Sequence, residues 1–332
     1  MRRSASAIGV VLLTAACMAG NGSGTGGPVD AFTLAVTGDI LVHSEVAAAA
    51  GNGRDFGPLL AGVAPVVGAA DLAVCHLETP LAPEGGTPAY GPAFAAPAAV
   101  APAIAAAGFD ACSTASNHSL DAGPAGVRTT LGLLDAARVA HTGTARDEGE
   151  ARRPLLLDAG PARVALLAYT YGLNRDGGAG TGGAPPGPAW MVNPIGEARI
   201  RADARTARAE GAAFVVVVLH WGTEFAATPD PGQRDLAGRL LASPAVDLIV
   251  GHHPHVVQPV ERIGSKYVAY SVGNLLSGQP DRCCPSPRDG AVLRVDVARD
   301  PSGRYRASAL DTVATRIEAG SYRVVVAGQA GR

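Results

Sequence analysis

Charge is scarce in this 332-residue chain: Asp, Glu, Lys and Arg make up 17% of it, and Lys266 is the single lysine. The formal net charge of −2 offers no basic footprint for a nucleic acid. The shortage of lysine follows from no physical need and reads as coding bias. Aromatic residues reach only 5%. Five cysteines occur, Cys17, Cys75, Cys112, Cys283 and Cys284, and none has Cys-x-x-Cys or zinc-finger spacing. There is no Gly-x-Ser-x-Gly elbow and no Walker sequence, so serine hydrolase and nucleoside triphosphatase readings have no support. No internal repeat of fixed period is present, which removes solenoids and propellers. What remains is a chain that is 47% apolar, long enough for one large α/β domain or two small ones, and able to bury a core without staples.

The N-terminus reads as an export signal. Arg2 and Arg3 precede an apolar stretch from Ala7 to Ala16, too short to span a bilayer. Thr14-Ala15-Ala16-Cys17 resembles a bacterial lipobox, with Cys17 as the lipid-attachment residue; ordinary cleavage near Ala15-Ala16 is the alternative. The expected division is a signal peptide over 1–17, a flexible Gly/Ser/Thr linker over 18–30 and one domain over 31–332. Gly22-x-Gly24-x-x-Gly27 matches the dinucleotide fingerprint in form only, because no strand precedes it and no helix follows. Cys75 and Cys112 lie in apolar runs and are expected as buried small hydrophobes. Cys283 and Cys284 sit in a Pro-rich loop, where an oxidising compartment permits either to pair.

Along the chain, short β-rich runs alternate with helical patterns. Strands are expected at Phe32–Thr37, Asp71–His76, Phe109–Thr114, Ala213–Leu219 and Val246–Val250. A hairpin crosses Ala159-Gly160-Pro161, and further strands are expected at Val256–Arg262, Tyr267–Val272, Ala291–Val297 and Tyr305–Val313. Helices are expected at Pro97–Ala107, Gly126–Val139, Ile195–Glu210 and Gly232–Leu241. Such alternation indicates an α/β fold with buried sheets, whose functional groups gather at the carboxyl ends of the strands. Five apolar runs end in a metal-ligand type, at Asp39, Glu78, Asn117, His220 and His253. Six of the eight histidines (His43, His118, His220, His252, His253 and His255) fall at these ends, whereas His76 and His141 are set aside. Imidazole with carboxylate suits zinc, manganese, iron or nickel better than calcium or magnesium. Tyr169, Tyr171, Arg175 and Trp190 flank a Gly/Pro-rich loop and are candidates for a substrate cleft or for plain packing.

Thr37-Gly38-Asp39-Ile40-Leu41-Val42-His43, Leu77-Glu78-Thr79-Pro80, Ser116-Asn117-His118-Ser119-Leu120-Asp121, His220-Trp221-Gly222-Thr223-Glu224 and Gly251-His252-His253-Pro254-His255-Val256-Val257-Gln258 resemble, in order, the motifs of the CapA family. Tyr270-Ser271-Val272-Gly273-Asn274-Leu275 is similar to its following strand, and the resemblance runs from about Phe32 to Val297. CapA domains are in turn similar to calcineurin-like metallophosphoesterases, which implies a four-layer αββα sandwich holding two divalent metal ions such as manganese, zinc or iron. The resemblance implies that Asp39, His43 and His255 hold the first metal and that Glu78 bridges. Asn117, His220 and His253 would hold the second. It further implies His118 as a general acid oriented by Asp121, with Glu224 and His252 fixing ligand tautomers. Three departures stand out. Asp39 and His43 are four apart where metallophosphoesterases have Asp-x-His; Glu78 replaces the usual bridging Asp; and His76 stands where the family usually has Asn. These bear on one metal site, which they would weaken.

The implied role is in poly-γ-glutamate capsule or envelope polymer synthesis, as a metal-dependent hydrolase acting on an anionic polymer or a phosphorylated envelope substrate. A membrane synthase complex is the expected partner and a lipid anchor the only membrane contact. The chain would then sit on the outer face of the cell membrane, or be secreted or periplasmic. Two alternatives stand beside it: a non-catalytic, metal-stabilised polymer-handling lipoprotein, and a periplasmic nucleotidase-like phosphoesterase.

Overall fold

The computed structural model describes residues 30–174, 187–281 and 285–327. Cys17, the signal and most of the linker, Arg175, Cys283 and Cys284 lie outside the described residues. Two large sheets face each other. The first has eight strands, in the order Val324–Val326, Tyr305–Ile317, Asp289–Arg299, Ala31–Leu41, Leu72–Leu77, Ala111–Ser113 and Ala140–Thr142, with Asn274–Ser277 also pairing to Ala31–Leu41. The second has six, in the order Val260–Ile263, Lys266–Ala269, Leu248–His252, Phe214–His220, Ala162–Thr170 and Leu155–Ala159.

The run Phe-Val-Val-Val-Val-Leu-His shows why the layers form. Every residue of Phe214–His220 is buried, and alternate side chains leave a strand on opposite faces. Phe214, Val216 and Val218 enter the core between the sheets. Val215, Val217 and Leu219 meet the helices Glu197–Ala209 and Pro231–Ala242 through Ile200, Ala204, Ala207, Ala237 and Leu240. Each of the Val, Leu, Ile and Phe side chains among them contributes roughly 1.5–3 kcal/mol when fully buried. On the other side, Val100–Ala106 and Gly123–Ala136 cover the first sheet with Ile104, Val127, Leu131 and Leu134. Helix, sheet, sheet, helix is the four-layer sandwich that the sequence leads one to expect.

Local signals set the element ends. Helix Pro231–Ala242 starts with Asp230 and Gln233 in a reciprocal capping box. Its far end is closed by the lone lysine, whose Nζ donates to the carbonyls of Leu241 at 3.0 Å, Ser243 at 2.6 Å and Val246 at 2.5 Å.

Ala31–Leu41, Leu72–Leu77, Ala111–Ser113 and Ala140–Thr142 run parallel, as do Ala162–Thr170, Phe214–His220 and Leu248–His252. Parallel strands bring their carboxyl ends, and the polar residues there, to one edge of the sandwich. The first strand runs on through Asp39 to Leu41 instead of stopping at Thr37, because Asp39 pairs with Asn274 and its amide donates to Gly273 O at 3.0 Å. Gly38 permits this approach: a Cβ there would collide with the Gly273 carbonyl. One expectation is corrected. Cys75 and Cys112 are buried as expected but are not separate small hydrophobes; they face each other across paired strands and form a disulfide.

Candidate metal centre

Strand parity aims the donors. His220 shares a face with Val218, and His252 shares one with Val250, so both rings point between the sheets. His76 and Glu78 are two apart on an extended segment and share a face for the same reason. The result is a buried cluster of Asp39, His76, Glu78, Asn117, His220, His252, His253 and His255.

The Asp39 carboxylate accepts from His252 Nδ1 at 2.6 Å and from the His253 amide at 3.2 Å, and it lies 3.1 Å from His255 Nδ1. Burial opposes its charge, but the hydrogen bonds from His252 and His255 hold the carboxyl well below the usual range. Glu78 differs. Its amide donates to Ile40 O at 3.1 Å and its carbonyl accepts from Ser116 Oγ at 2.5 Å, so the backbone is pinned. Yet both carboxylate oxygens are buried without a hydrogen-bond partner. The nearest basic atoms are His255 Nε2 at 3.7 Å and His220 Nε2 at 3.8 Å. Burial pushes the Glu78 carboxyl up to about 7. Burial also acts against a charged His255, but the Glu78 and Asp39 carboxylates outweigh it and raise that imidazole to about 9. His253 goes the other way, to about 3, through burial and the neighbouring His255 charge. Burial holds His76 and His220 well below their ordinary value, and the neighbouring imidazoles add to the effect.

Asn117 Oδ1 lies 2.7 Å from His220 Nε2, and its amide nitrogen donates to Asn174 Oδ1 at 2.8 Å. Beside it, His118 Nδ1 meets Asp121 Oδ2 at 2.6 Å and Asn174 Nδ2 at 3.0 Å. Phe94 packs edge-on against His118 with centroids 4.9 Å apart, and its amide donates to Asp121 at 2.9 Å. His118 is thus clamped through Nδ1 at the rim of the buried cluster, the geometry of an imidazole oriented by a carboxylate. Tyr171 is 52% exposed, with its ring 4.7 Å from that of His253.

His253 and His255 have φ of +93° and +58°. Such angles are strained for residues other than glycine and concentrate at functional sites. They turn two histidines flanking Pro254 into the same pocket. Gly251 lets the preceding strand pass against the Tyr270 carbonyl and the Trp221 indole, where a Cβ would clash.

The donor set fits divalent cations. Donor atoms of Asp39, Glu78 and His255 lie within 4.8 Å of one another, as do those of Glu224, His253 and His255 and those of Asp39, His76 and His252. A buried carboxylate with two orphaned oxygens costs several kcal/mol unless something positive meets it. His252 Nε2 and His253 Nδ1 are orphaned in the same way. Imidazole and carboxylate together suit divalent first-row metals better than calcium or magnesium.

The structure therefore brings together Asp39, Glu78, Asn117, His220, His253 and His255, with the His118–Asp121 pair beside them and exposed Glu224 near His253 and His255. Two assignments change. His43 belongs to none of the three donor groups; its Nδ1 lies 3.1 Å from both Leu41 O and the Gly278 amide, and Phe94 packs on its ring. The Asp39 carboxylate takes His252, expected only as an outer partner, beside His255, which was expected there. His76, set aside earlier, sits in the middle: Nδ1 is 2.7 Å from Ser113 Oγ, Nε2 is 3.0 Å from His220 Nδ1, and its ring stacks on that of His252 at 4.2 Å. The two-residue spacing to Glu78 was the signal for it. Asn174 and Asn274 were also missed as site residues. The latter lies within a recognised motif and puts Oδ1 3.0 Å from His255 Nδ1.

The chain is 28% identical over 207 residues to the PGA biosynthesis protein CapA of Bacillus subtilis, covering 61% of this chain and 51% of that one. It is 28% identical over 223 residues to the Capsule biosynthesis protein CapA of Bacillus anthracis, covering 67% and 51%. It thus spans about half the length of the curated relatives it matches. Among solved structures it is similar to the calcineurin-like phosphoesterase YfkN of Bacillus subtilis, with a TM-score of 0.51 and 13% identity over 86% of this chain and 91% of that one. It is also similar to a Haemophilus influenzae NAD nucleotidase, with a TM-score of 0.52 and 12% identity over 91% and 54%. Such identities speak for the fold alone. The family described as "Bacterial capsule synthesis protein PGA_cap" matches residues 33–279, from the first strand through the last donor-bearing loop, and the chain belongs to that family, built on the metallophosphoesterase fold.

Proposed function

We propose that this chain is an exported, metal-dependent hydrolase of the phosphoesterase type, anchored through lipid on Cys17. It acts on an anionic polymer or a phosphorylated envelope component during capsule assembly, beside a membrane synthase. The observation that carries the reading is Glu78: a fully buried carboxylate, both oxygens unpartnered, ringed by His220, His255 and Asp39. Asp39, Glu78 and His255, joined by His252, would hold one cation; Asn117, His220 and His253, with Glu78 between, would hold a second. Bound there, divalent cations supply Lewis acidity and charge neutralisation to a scissile phosphoryl or acyl group.

The chain's own residues do the rest. Asp121 holds His118 by Nδ1, which leaves Nε2 to hand a proton to a leaving group. Asn174 accepts from the Asn117 side-chain amide and sets its own amide against the His118 ring, so it sits between the acid and the donor set. Tyr171 offers an exposed ring and hydroxyl at the mouth for orienting a substrate. The Cys75–Cys112 disulfide supports export, since such bonds persist in oxidising compartments. The names of the Bacillus relatives support a capsule role. The second reading, a polymer-handling protein with a structural metal, draws on the displacement of His43 from the donor groups.

Metal content measured by mass spectrometry on untagged protein, beside the His253→Ala, His255→Ala double variant, tests the first reading. About two cations per chain are expected in the wild type, with none retained by the variant. A folded wild type that fails to take up added manganese or zinc sinks it. His118→Ala then separates the readings: hydrolysis of phosphoester probes should fall by about 100-fold with metal content unchanged, whereas undiminished capsule assembly in cells carrying this variant favours the polymer-handling role.

A further inference from the structure

Behind Asn117 and His220 of the donor set the line of polar contacts continues into His76 and Ser113, which none of the proposed roles uses. Asn117 Oδ1 meets His220 Nε2 at 2.7 Å, His220 Nδ1 meets His76 Nε2 at 3.0 Å, and His76 Nδ1 meets Ser113 Oγ at 2.7 Å. Ser113 Oγ lies 3.4 Å from Cys75 O, a carbonyl that can accept its proton. All of these groups are buried. A neutral imidazole has one donor nitrogen and one acceptor nitrogen, so two imidazoles in series share one hydrogen-bond direction.

That direction has two settings. In the first, Ser113 donates to His76, His76 Nε2–H donates to His220, and His220 Nε2–H donates to Asn117 Oδ1. Every contact is satisfied, but His220 then offers no lone pair to a cation. In the second, His220 Nδ1–H donates to His76 Nε2, His76 Nδ1–H donates to Ser113, and the serine hydroxyl turns to Cys75 O. Now His220 Nε2 and Asn117 Oδ1 present lone pairs to each other at 2.7 Å. Two facing acceptors repel unless a cation lies between their lone pairs. Each imidazole carries one proton in both settings, so the reversal neither releases a proton nor takes one up.

We propose that His76 is a positioning residue whose hydrogen-bond direction reverses when a cation binds, fixing His220 in the tautomer that ligates. The inference rests on the reading of this cluster as a metal centre. The rival role, His76 as a direct ligand with Asp39 and His252, meets two obstacles. Its ring lies nearly parallel to that of His252, at 22° and 4.2 Å, so their in-plane lone pairs do not converge on one point. Both His76 nitrogens are also already engaged. Groups that orient a ligating imidazole typically contribute 10–100-fold to metal affinity.

Nitrogen-15 spectra of histidine-labelled protein test this with and without zinc. Without metal, His76 and His220 should both carry the proton on Nε2; with zinc bound, both should carry it on Nδ1. His76→Phe should weaken zinc binding at the His220 site by about 10–100-fold, and His76→Gln, whose amide can accept from His220 and donate to Ser113, should recover most of it. Zinc uptake that moves the His220 proton and leaves His76 unchanged overturns the relay, as does unaltered affinity in His76→Phe. If that variant fails to fold, the wild-type spectra decide alone. A wild type that binds no zinc defeats the metal reading and the reversal with it, and Nδ1–H tautomers in the metal-free protein overturn the relay whatever the metal does.

Discussion

Replacing Glu78 by glutamine should raise the stability of the metal-free protein and destroy its affinity for metal, two effects of opposite sign from one atom. The carboxylate is buried, its oxygens lack hydrogen-bond partners, and burial already drives its acidity down. Removing that charge relieves a desolvation penalty, so melting in chelator should shift in favour of Glu78→Gln by about 1–3 kcal/mol. With metal, the order reverses. A cation at 100 times its dissociation constant stabilises the wild type by about 2.7 kcal/mol per site, and the variant should gain almost none of this. Hydrolysis should fall on the order of 100-fold or more, as when one charge-stabilising group leaves an active site. A residue kept for packing gives the other pattern: a less stable variant in chelator and the same metal response as wild type. Calorimetry of both proteins, with chelator and then with manganese or zinc, separates the two.

Much of the architecture was legible because it rests on local chemistry. Unbroken apolar runs such as Phe214–Leu219, followed by Gly, Pro or polar clusters, announce buried parallel strands, and the helices between them carry ordinary amphipathic spacing. The gathering of Asp39, Glu78, Asn117, His220 and His253 at strand ends followed from the same pattern. What stayed hidden depends on partners far apart in sequence. His43 has its Nδ1 bracketed by the Leu41 carbonyl and the Gly278 amide, and Gly278 is 235 residues distant. His252 reaches Asp39 across 213 residues. Asn174 matters only because it meets Asn117 and His118, 57 and 56 residues away in sequence. His76 was the exception: the period of a strand already placed it on the face of Glu78, but its neighbour Cys75 drew it into the apolar run. The short helices Ser44–Ala49, Gly57–Leu60 and Ala64–Val67 were also missed, since elements of a few turns or fewer form by packing and carry weak patterns of their own.

The second large effect concerns the bond between Cys75 and Cys112. It closes a loop of 37 residues between neighbouring parallel strands and is fully buried. Constraining a loop of that length in the unfolded chain is worth about 4 kcal/mol in the chain-entropy account. Protein refolded with reductant should therefore melt roughly 8–16 °C below the oxidised form, at about 2–4 °C per kcal/mol for a chain of this size. The comparison uses one sequence in two redox states, so no cavity from a substitution enters it. A buried bond also resists reductant until the chain opens, so adding reductant to native protein should change melting only after unfolding and refolding. The consequence reaches the site, because the pairing Cys75–Cys112 is followed directly by His76–Ser113 in the same register. Loosening it should weaken metal uptake as well as lower the melting temperature. Equal melting of oxidised and reduced forms would mean that the strand pair is held by the sheet alone, and would remove the disulfide as support for an oxidising compartment.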